Sequence, residues 1–415
     1  MKAERVTDLV VIGGGPAGMM CAFTAAKRGL NVVLLDGNRF LGRKLRITGK
    51  GRCNVTNNCE IRDVLNNIPR NGKFLYSALN AFPPSAVMEY FEGLGVPLKT
   101  ERGNRVFPCS DNANDIADAI ASACLDAGVR VVRTRAVKIL TAEGRVIGVR
   151  TGEGDIGCRA AALCTGGMSY PLTGSNGYGY RAAAELGHTV EAAHPSLVPL
   201  ESDDPACAAL QGLSLKNVAL TVYEEEKAIY SDFGEMLFTH FGVSGPIILS
   251  ASAHMRSAGE KDYRLTIDLK PALDEKTLDA RILRDFQKYL NRDVRNALND
   301  LLPNSMIPVI LSMAEIPEET KVHSITREQR EQLRRLFKAF PIGISGTRPV
   351  DEAIITSGGV SVREIDPRTM ESKLVPGLYF AGEIIDVDAY TGGFNLQIAW
   401  ATGYMAGRAV CAKEE

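Results

Sequence analysis

Leu9-Val10-Val11-Ile12-Gly13-Gly14-Gly15-Pro16-Ala17-Gly18 is the stretch whose reading decides the fold. Four apolar residues predict a buried strand, and glycines at the G-x-G-x-x-G positions predict a tight turn opening directly into a helix. A pyrophosphate is the expected guest. Gly13 permits the turn, Gly15 keeps a Cβ out of the phosphates' space, and Gly18 lets the helix lie close on the sheet. Pro16 and Ala17 stand in the helix's first turn, whose unpaired N–H groups and positive dipole end face the anion.

What surrounds the glycines separates this reading from a glycine-rich surface turn. The helix pattern runs through Met20, Cys21, Ala22 and Phe23 to Arg28 and stops at Gly29. A second strand, residues 31–35, ends in Asp36 followed by Gly37, at nearly the spacing where an acid takes a ribose hydroxyl. A carboxylate there repels a 2′-phosphate, which disfavours NADP at this site.

The chain has 415 residues, enough for two or three domains, with 45 % hydrophobic and 23 % charged residues as in an ordinary soluble globular protein. A net charge of −1 with interspersed signs offers no overall field for nucleic acid or an anionic membrane, so neither is an expected partner. The first strand begins too early for a signal peptide, and no apolar run is long enough to span a bilayer. A cytoplasmic location is the expectation, and no metal is expected. Nine scattered cysteines read as reduced thiols. Cys53 and Cys59 resemble the C-x-x-x-x-C pair of disulfide-reducing flavoenzymes with one residue too many, which leaves a redox pair and ordinary thiols both open.

After Asp36 comes a basic, glycine-rich segment, Phe40-Leu41-Gly42-Arg43-Lys44-Leu45-Arg46-Ile47-Thr48-Gly49-Lys50-Gly51-Arg52-Cys53-Asn54-Val55-Thr56-Asn57. It reads as a loop wrapped round a polyanion. Arg43, Lys44 and Arg52 supply charge, while Gly49 and Gly51 bring backbone close beside Cys53 and Asn54. A solvated basic loop is the plainer alternative.

G-R-K-L-x-I-T-G-x-G-R-C-N-V-T-N resembles the signature of a bacterial FAD-dependent oxidoreductase family that includes BaiN-type 3-dehydro-bile-acid reductases and aminoacetone oxidase-like members. The resemblance implies an FAD-binding fold over nearly the whole chain. Further segments share it: Arg105 to Pro108, Ser175-Asn176-Gly177-Tyr178-Gly179, and Gly234-Glu235-Met236-Leu237-Phe238-Thr239-His240-Phe241-Gly242-Val243-Ser244-Gly245-Pro246.

Apolar spacing predicts helices over residues 74–82, 85–94 and 113–126. A strand over 131–139 is expected to offer Val137 as an adenine contact, followed by a hairpin turning at Glu143-Gly144. The strand ending at Leu163 runs into Thr165-Gly166-Gly167, a further cofactor edge. His188, just past a predicted helix over 180–186, reads as a carbonyl cap. From about Ser196 alternating runs predict an antiparallel insertion. His240 lies inside it and titrates near neutrality, with a structural and a chemical role both open. Residues 274–302 read as helical, as does a segment opened by the capping box Thr326-x-x-Gln329, with Leu333, Leu336, Phe337 and Phe340 on its apolar face.

Toward the C-terminus a strand ends in Gly382-Glu383, placing Glu383, with Asp386 as second candidate, for a ribityl hydroxyl. Gly392, Gly393, Phe394 and Asn395 open a helix bearing Ala399, Gly403 and Gly407 on one small-residue face, able to pack on the first helix. Its N-terminus would stabilise negative charge on a reduced flavin.

The expected fold is α/β. A Rossmann-like FAD-binding domain forms from residues 1–195 and 346–415, with an insertion at 196–345 whose β part covers about 196–271 and whose helical part about 272–341. FAD is the expected cofactor, with hydride transfer between flavin N5 and a small organic substrate in the interdomain cleft. No second G-x-G-x-x-G follows a strand, so any NAD(P)H donor would visit transiently. Resemblance offers reduction of a conjugated C=C bond with NAD(P)H, or amine oxidation with O₂. A flavin-binding redox sensor and an NAD-binding regulator are the other classes. Arg52 and His240 are the candidates for polarising or protonating the substrate, and no oligomeric state is read.

Overall fold

The computed structural model describes residues 7–256 and 261–410. These residues divide into two compact units, one running up to Ser196 and resuming at Val350, the other spanning Leu197–Pro349.

The first unit is built on Thr7–Ile12, which pairs in parallel with Val32–Leu35 on one side and with Gly154–Leu163 on the other. Arg130–Val132 adds beyond Val32–Leu35, and Leu378–Phe380 adds beyond Gly154–Leu163, both parallel. Strands buried on both faces need continuous apolar runs, and Leu9, Val10, Val11, Leu34, Ala161, Ala162 and Leu163 are fully covered. The sheet thus joins segments from both ends of the chain. The outer part of Gly154–Leu163 also pairs with the antiparallel hairpin Ala136–Ala142 and Arg145–Thr151, which turns at Glu143-Gly144.

The first helix, Pro16–Lys27, follows the glycine turn, and the last, Phe394–Ala409, lies along it. Small residues make this contact possible. A Cβ on Gly403 would strike the backbone of Ala17, and one on Gly407 the backbone of Cys21. Arg28 then donates to the carbonyls of Gly407 and Val410 at 3.0 and 2.7 Å, closing the C-terminal end of the long helix.

Residues 131–139 do not form one strand. Pairing along Arg130–Val132 stops before Arg133, and Ala136–Ala142 belongs to the hairpin, with the Val137 side chain 57 % exposed. The helix Ala113–Asp126 is capped by Asn112, whose side chain accepts from the Asn114 N–H at 3.1 Å.

The second unit carries a seven-stranded sheet centred on the long hairpin Ser214–Glu224 and Lys227–Thr239. Helices cover its residues 275–338, but not as one rod over 274–302. Glu275–Lys288 ends at Tyr289, and Val294–Ala297 begins afresh after Asp293, so the apolar spacing continued through a break. The capping box at Thr326 and Gln329 forms and starts Arg327–Lys338. Leu333 and Phe337 fill its buried face, whereas Phe340 lies beyond it in the strand Phe340–Ile344. No helix among the described residues is long and apolar enough to cross a membrane.

Candidate functional site

The three motif glycines differ in what surrounds them. Gly13 sits at φ +107°, where a Cβ would meet the Cys164 carbonyl, and a Cβ on Gly18 would meet the Gly13 carbonyl. Gly15 is the opposite case. A Cβ there meets nothing within 4 Å, although φ is −78° and any residue could adopt it. Two glycines therefore serve internal packing and the third leaves space on the outer side. No side chain caps the helix at Gly15, so its first-turn N–H groups face that space.

Asp36 is oriented by this turn. Gly14 N–H donates to its Oδ2 at 2.8 Å and Asn38 N–H to its Oδ1 at 2.7 Å, leaving acceptor sites on both oxygens. Gly37 lies against the side chain of Arg135.

Farther along, the edge of the sheet and the Gly49–Asn57 loop supply groups without partners. Thr165 Oγ1 and Asn54 Oδ1 are buried and make no hydrogen bond. Buried polar atoms are nearly always satisfied, so each such atom calls for a partner; Thr165 Oγ1 lies against Gly179, where a Cβ would meet it. Gly166 and Gly51 both have positive φ, and a Cβ on Gly51 would meet open space. Gly167 is tight instead, held against Thr356 and Glu383.

The last helix opens at this end. Gly393 caps it at φ +97° with no side-chain cap, and its backbone lies against Thr56. Asn57 Nδ2 donates to the Gly392 carbonyl at 2.9 Å, Thr56 Oγ1 bonds Gln397 Oε1 at 2.6 Å, and Trp400 Nε1 donates to the Val55 carbonyl at 3.0 Å. The N-V-T-N end of the basic loop thus aims the second helix N-terminus. Sequence reasoning assigned this segment to ligand contact and missed Thr56, Asn57, Gln397 and Trp400. All four are uncharged, and nothing local in the sequence pairs residues 55–57 with residues 392–400.

Several expected contacts are spent inside the protein. Arg52, expected at the cofactor and as a candidate to polarise or protonate substrate, is paired within the protein. Its guanidinium bonds Glu101 at 2.5 Å and Asp111 at 2.6 Å and lies over the Phe107 ring at 4.2 Å; it holds the Glu101 carboxyl below its ordinary range, and Lys99 together with Arg52 does the same for Asp111. Lys44 Nζ donates to Ser169 Oγ and to Glu383 Oε2, each at 2.7 Å, and Thr356 N–H donates to Glu383 Oε1 at 2.8 Å. Glu383 therefore orders the protein edge. Asp386 is buried, bound by Arg70 and Asn71, and forms one wall of a polar cavity of ≈ 450 Å³ with Glu191, Ser361 and Arg363. The Asn395 side chain bonds the backbone of Ala389 and Tyr390, while Phe394 is packed into the core. Arg43 is exposed and touches Asn38 Oδ1 at 3.3 Å.

The cysteines are poor redox candidates. Burial pushes the Cys53 thiol up to about 12 and the Cys59 thiol up to about 11, so neither supplies thiolate near neutrality. His188 is buried, with Nδ1 on the Ala183 carbonyl and Nε2 on Ser372 Oγ at 2.8 Å, and burial lowers its pKa. His240 is exposed at the turn between Lys227–Thr239 and Gly242–Ser244, edge-on to Phe241. Among the described residues no group of three His, Cys, Asp or Glu side chains suits a metal ion.

The HI0933-like protein Rossmann domain matches residues 7–409. The chain belongs to this family. Over 97 % of its length this HI0933-like protein is 30 % identical to the 3-dehydro-bile acid delta(4,6)-reductase of Clostridium scindens, of which it covers 98 %. It is also 30 % identical to the ribosomal RNA dihydrouridine synthase of Escherichia coli, with 96 % of each chain aligned. Among solved structures, 3-ketosteroid-delta4-(5alpha)-dehydrogenase from Rhodococcus jostii aligns over 99 % of both chains at 15 % identity and a TM-score of 0.51, a likeness of fold.

Proposed function

We propose that this HI0933-like protein is an FAD-dependent oxidoreductase that reduces a carbon–carbon double bond conjugated to a carbonyl. The observation that carries the reading is the set of vacant, unsatisfied groups along one sheet edge. Open space at Gly15 and an uncapped helix start there, the unbonded Asn54 oxygen, and a second uncapped helix start at Gly393 suit a long ligand with an anionic middle. FAD has that form, whereas NAD offers no reason for the second helix end.

FAD, when bound, supplies hydride chemistry at its flavin ring. The chain's own part is to hold and polarise. Backbone N–H groups at Ala17 and Gly18 receive the pyrophosphate, and Asp36 accepts from the ribose. Asn54 regains a partner. The N-terminus at Gly393 places positive potential where a reduced flavin carries negative charge. Lys44, fixed by Glu383 and Ser169, adds a cation beside the same edge.

The choice of reaction rests on what the two relatives share. A delta(4,6)-reductase of a 3-dehydro-bile acid and a dihydrouridine synthase both saturate a C=C bond conjugated with a carbonyl, one in a steroid and one in uracil. Amine oxidation has no such support here. The NAD(P)H donor and a cytoplasmic location belong to the same proposal. Anaerobic reduction of the flavoprotein with NADH or NADPH, followed by a conjugated steroid enone or uridine-containing RNA, tests it. Reoxidation by either acceptor, with formation of the saturated product, is expected. A protein reoxidised only by O₂ or an amine-derived imine would overturn it.

A further inference from the structure

Asp386 follows Glu383 on the same segment, yet the two acids serve different partners. Glu383 bonds Lys44, Ser169 and Thr356, whereas Asp386, 5 % exposed, accepts from Arg70 Nη2 at 2.7 Å and from Asn71 Nδ2 at 2.9 Å. Asn71 reaches it from φ +56°, a left-handed conformation that asparagine tolerates, and its Nδ2 also donates to the Asp386 carbonyl at 2.7 Å. A carboxylate covered this deeply costs free energy unless it is paired, so these bonds fix it as a wall of the ≈ 450 Å³ cavity.

Two paired strands bring the other polar groups. Val190–Ser196 runs antiparallel to Ile355–Val360, with Val190 opposite Val360. Gly358 and Gly359 let the second strand lie close, for a Cβ on the first would strike the Ala192 carbonyl and one on the second the Ile384 carbonyl. Ser361 N–H then donates to the Thr189 carbonyl and Asp386 N–H to the Val360 carbonyl, each at 3.0 Å. Glu191, Ser361 and Arg363 thereby line the same cavity as Asp386.

The charges there are unevenly spent. Arg70 and Asp386 neutralise one another. Among the described residues the Arg363 guanidinium and the Glu191 carboxylate have no hydrogen-bond or ion-pair partner, and the neighbouring acid Glu364 is taken by the Thr189 N–H and hydroxyl at 2.8 Å each. An anion alone would meet the Glu191 and Asp386 carboxylates, and a cation alone the two guanidiniums. A zwitterion satisfies both signs. The volume is that of a small-molecule site, and a lining that is polar apart from Val362 argues against a steroid or a nucleobase. A quaternary ammonium headgroup would call for an aromatic cage, and no aromatic side chain lines the cavity.

We propose that this cavity binds a free α-amino acid, its carboxylate on Arg363 and its ammonium on Glu191, against the fixed wall of Asp386 and Arg70. The inference concerns binding alone and does not rest on the reductase reading.

The test uses flavin-loaded full-length protein. Pools of the standard L-amino acids are screened by saturation-transfer NMR, and the binder is titrated by calorimetry beside its N-acetyl and carboxamide forms. At least one amino acid should bind, and each capped form should bind about tenfold or more weakly, because each loses one charge-assisted contact. Arg363→Gln and Glu191→Gln should each weaken the free amino acid by a similar factor, with flavin content unchanged. Arg363→Gln should also cease to distinguish the carboxamide from the free amino acid, and Glu191→Gln the N-acetyl form. No binding by any amino acid overturns the proposal. So does a capped form that binds wild type as tightly as the free amino acid, which would reduce the cavity to a site for one charge, or binding unaltered in both variants, which would place the amino acid elsewhere. Failure of flavin reduction by NAD(P)H, by contrast, bears on the reductase alone.

Discussion

Lys44 Nζ lies 2.7 Å from Glu383 Oε2, joining the loop after the first βαβ segment to the last strand of the parallel sheet, 339 residues away in sequence. Both side chains are about one-fifth exposed, so the pair is shielded but not dry. It fastens the two chain ends where the proposed cofactor would run. Lys44→Met should lower stability by about 1–3 kcal/mol, because Glu383 keeps its other donors but loses its counter-charge. Urea unfolding of the protein stripped of cofactor measures this, and flavin retention should fall in the same variant.

Gly15 and Gly18 make a matched contrast. A methyl group at Gly15 meets open space, so Gly15→Ala should fold with stability within about 0.5 kcal/mol of wild type and hold FAD at least tenfold more weakly. Gly18→Ala drives a methyl into the Gly13 carbonyl and should cost about 3 kcal/mol before any ligand is added. Thermal unfolding with and without FAD separates the two effects.

The buried Cys53 thiol gives a signed pH dependence. Its folded pKa of about 12 lies above the ordinary thiol value of 9.0, so the folded state keeps a proton that the unfolded chain releases. Stability from this group is complete below pH 9 and falls as pH rises toward 12. Cys53→Ala should flatten that alkaline loss in urea titrations across the same window. Neutral-pH alkylation should label the exposed Cys109 while sparing Cys53.

Arg52 separates a strut from a substrate contact. Arg52 lowers the Glu101 pKa and Lys99 together with Arg52 lowers that of Asp111, so the stability these carboxyls contribute is present above the ordinary carboxylate range and lost as pH falls through the folded values. Arg52→Ala should reduce that acid dependence, leaving the part due to Lys99, and loosen the loop, seen as faster amide exchange at residues 49–57. A variant with unchanged exchange and slower flavin reduction would return Arg52 to the chemistry.

The frame was legible because each of its parts is signalled locally. A continuous apolar run and glycine stops mark the first strand and helix, a Glu-Gly turn the hairpin at Glu143-Gly144, and a capping box the helix at Thr326. Errors came where an apolar rhythm ran through a break, at Arg133 and at Tyr289 to Asp293, and where a helical pattern was extended into the strand at Phe340. The candidate site was legible in its glycines and not in its charges. A glycine's role follows from backbone geometry, which the motif spacing encodes. The partners of Arg52, Lys44 and Asp386 lie 49 residues or more away, and nothing in a single sequence says which carboxylate or amide will meet them.

The most direct measurement of the central claim is the identity and amount of cofactor released from gently purified protein. The account predicts a yellow protein that liberates about one FAD per chain on denaturation, and that rebinds FAD but not when Gly15 is replaced by valine. A colourless protein that takes up NAD and ignores FAD would contradict it.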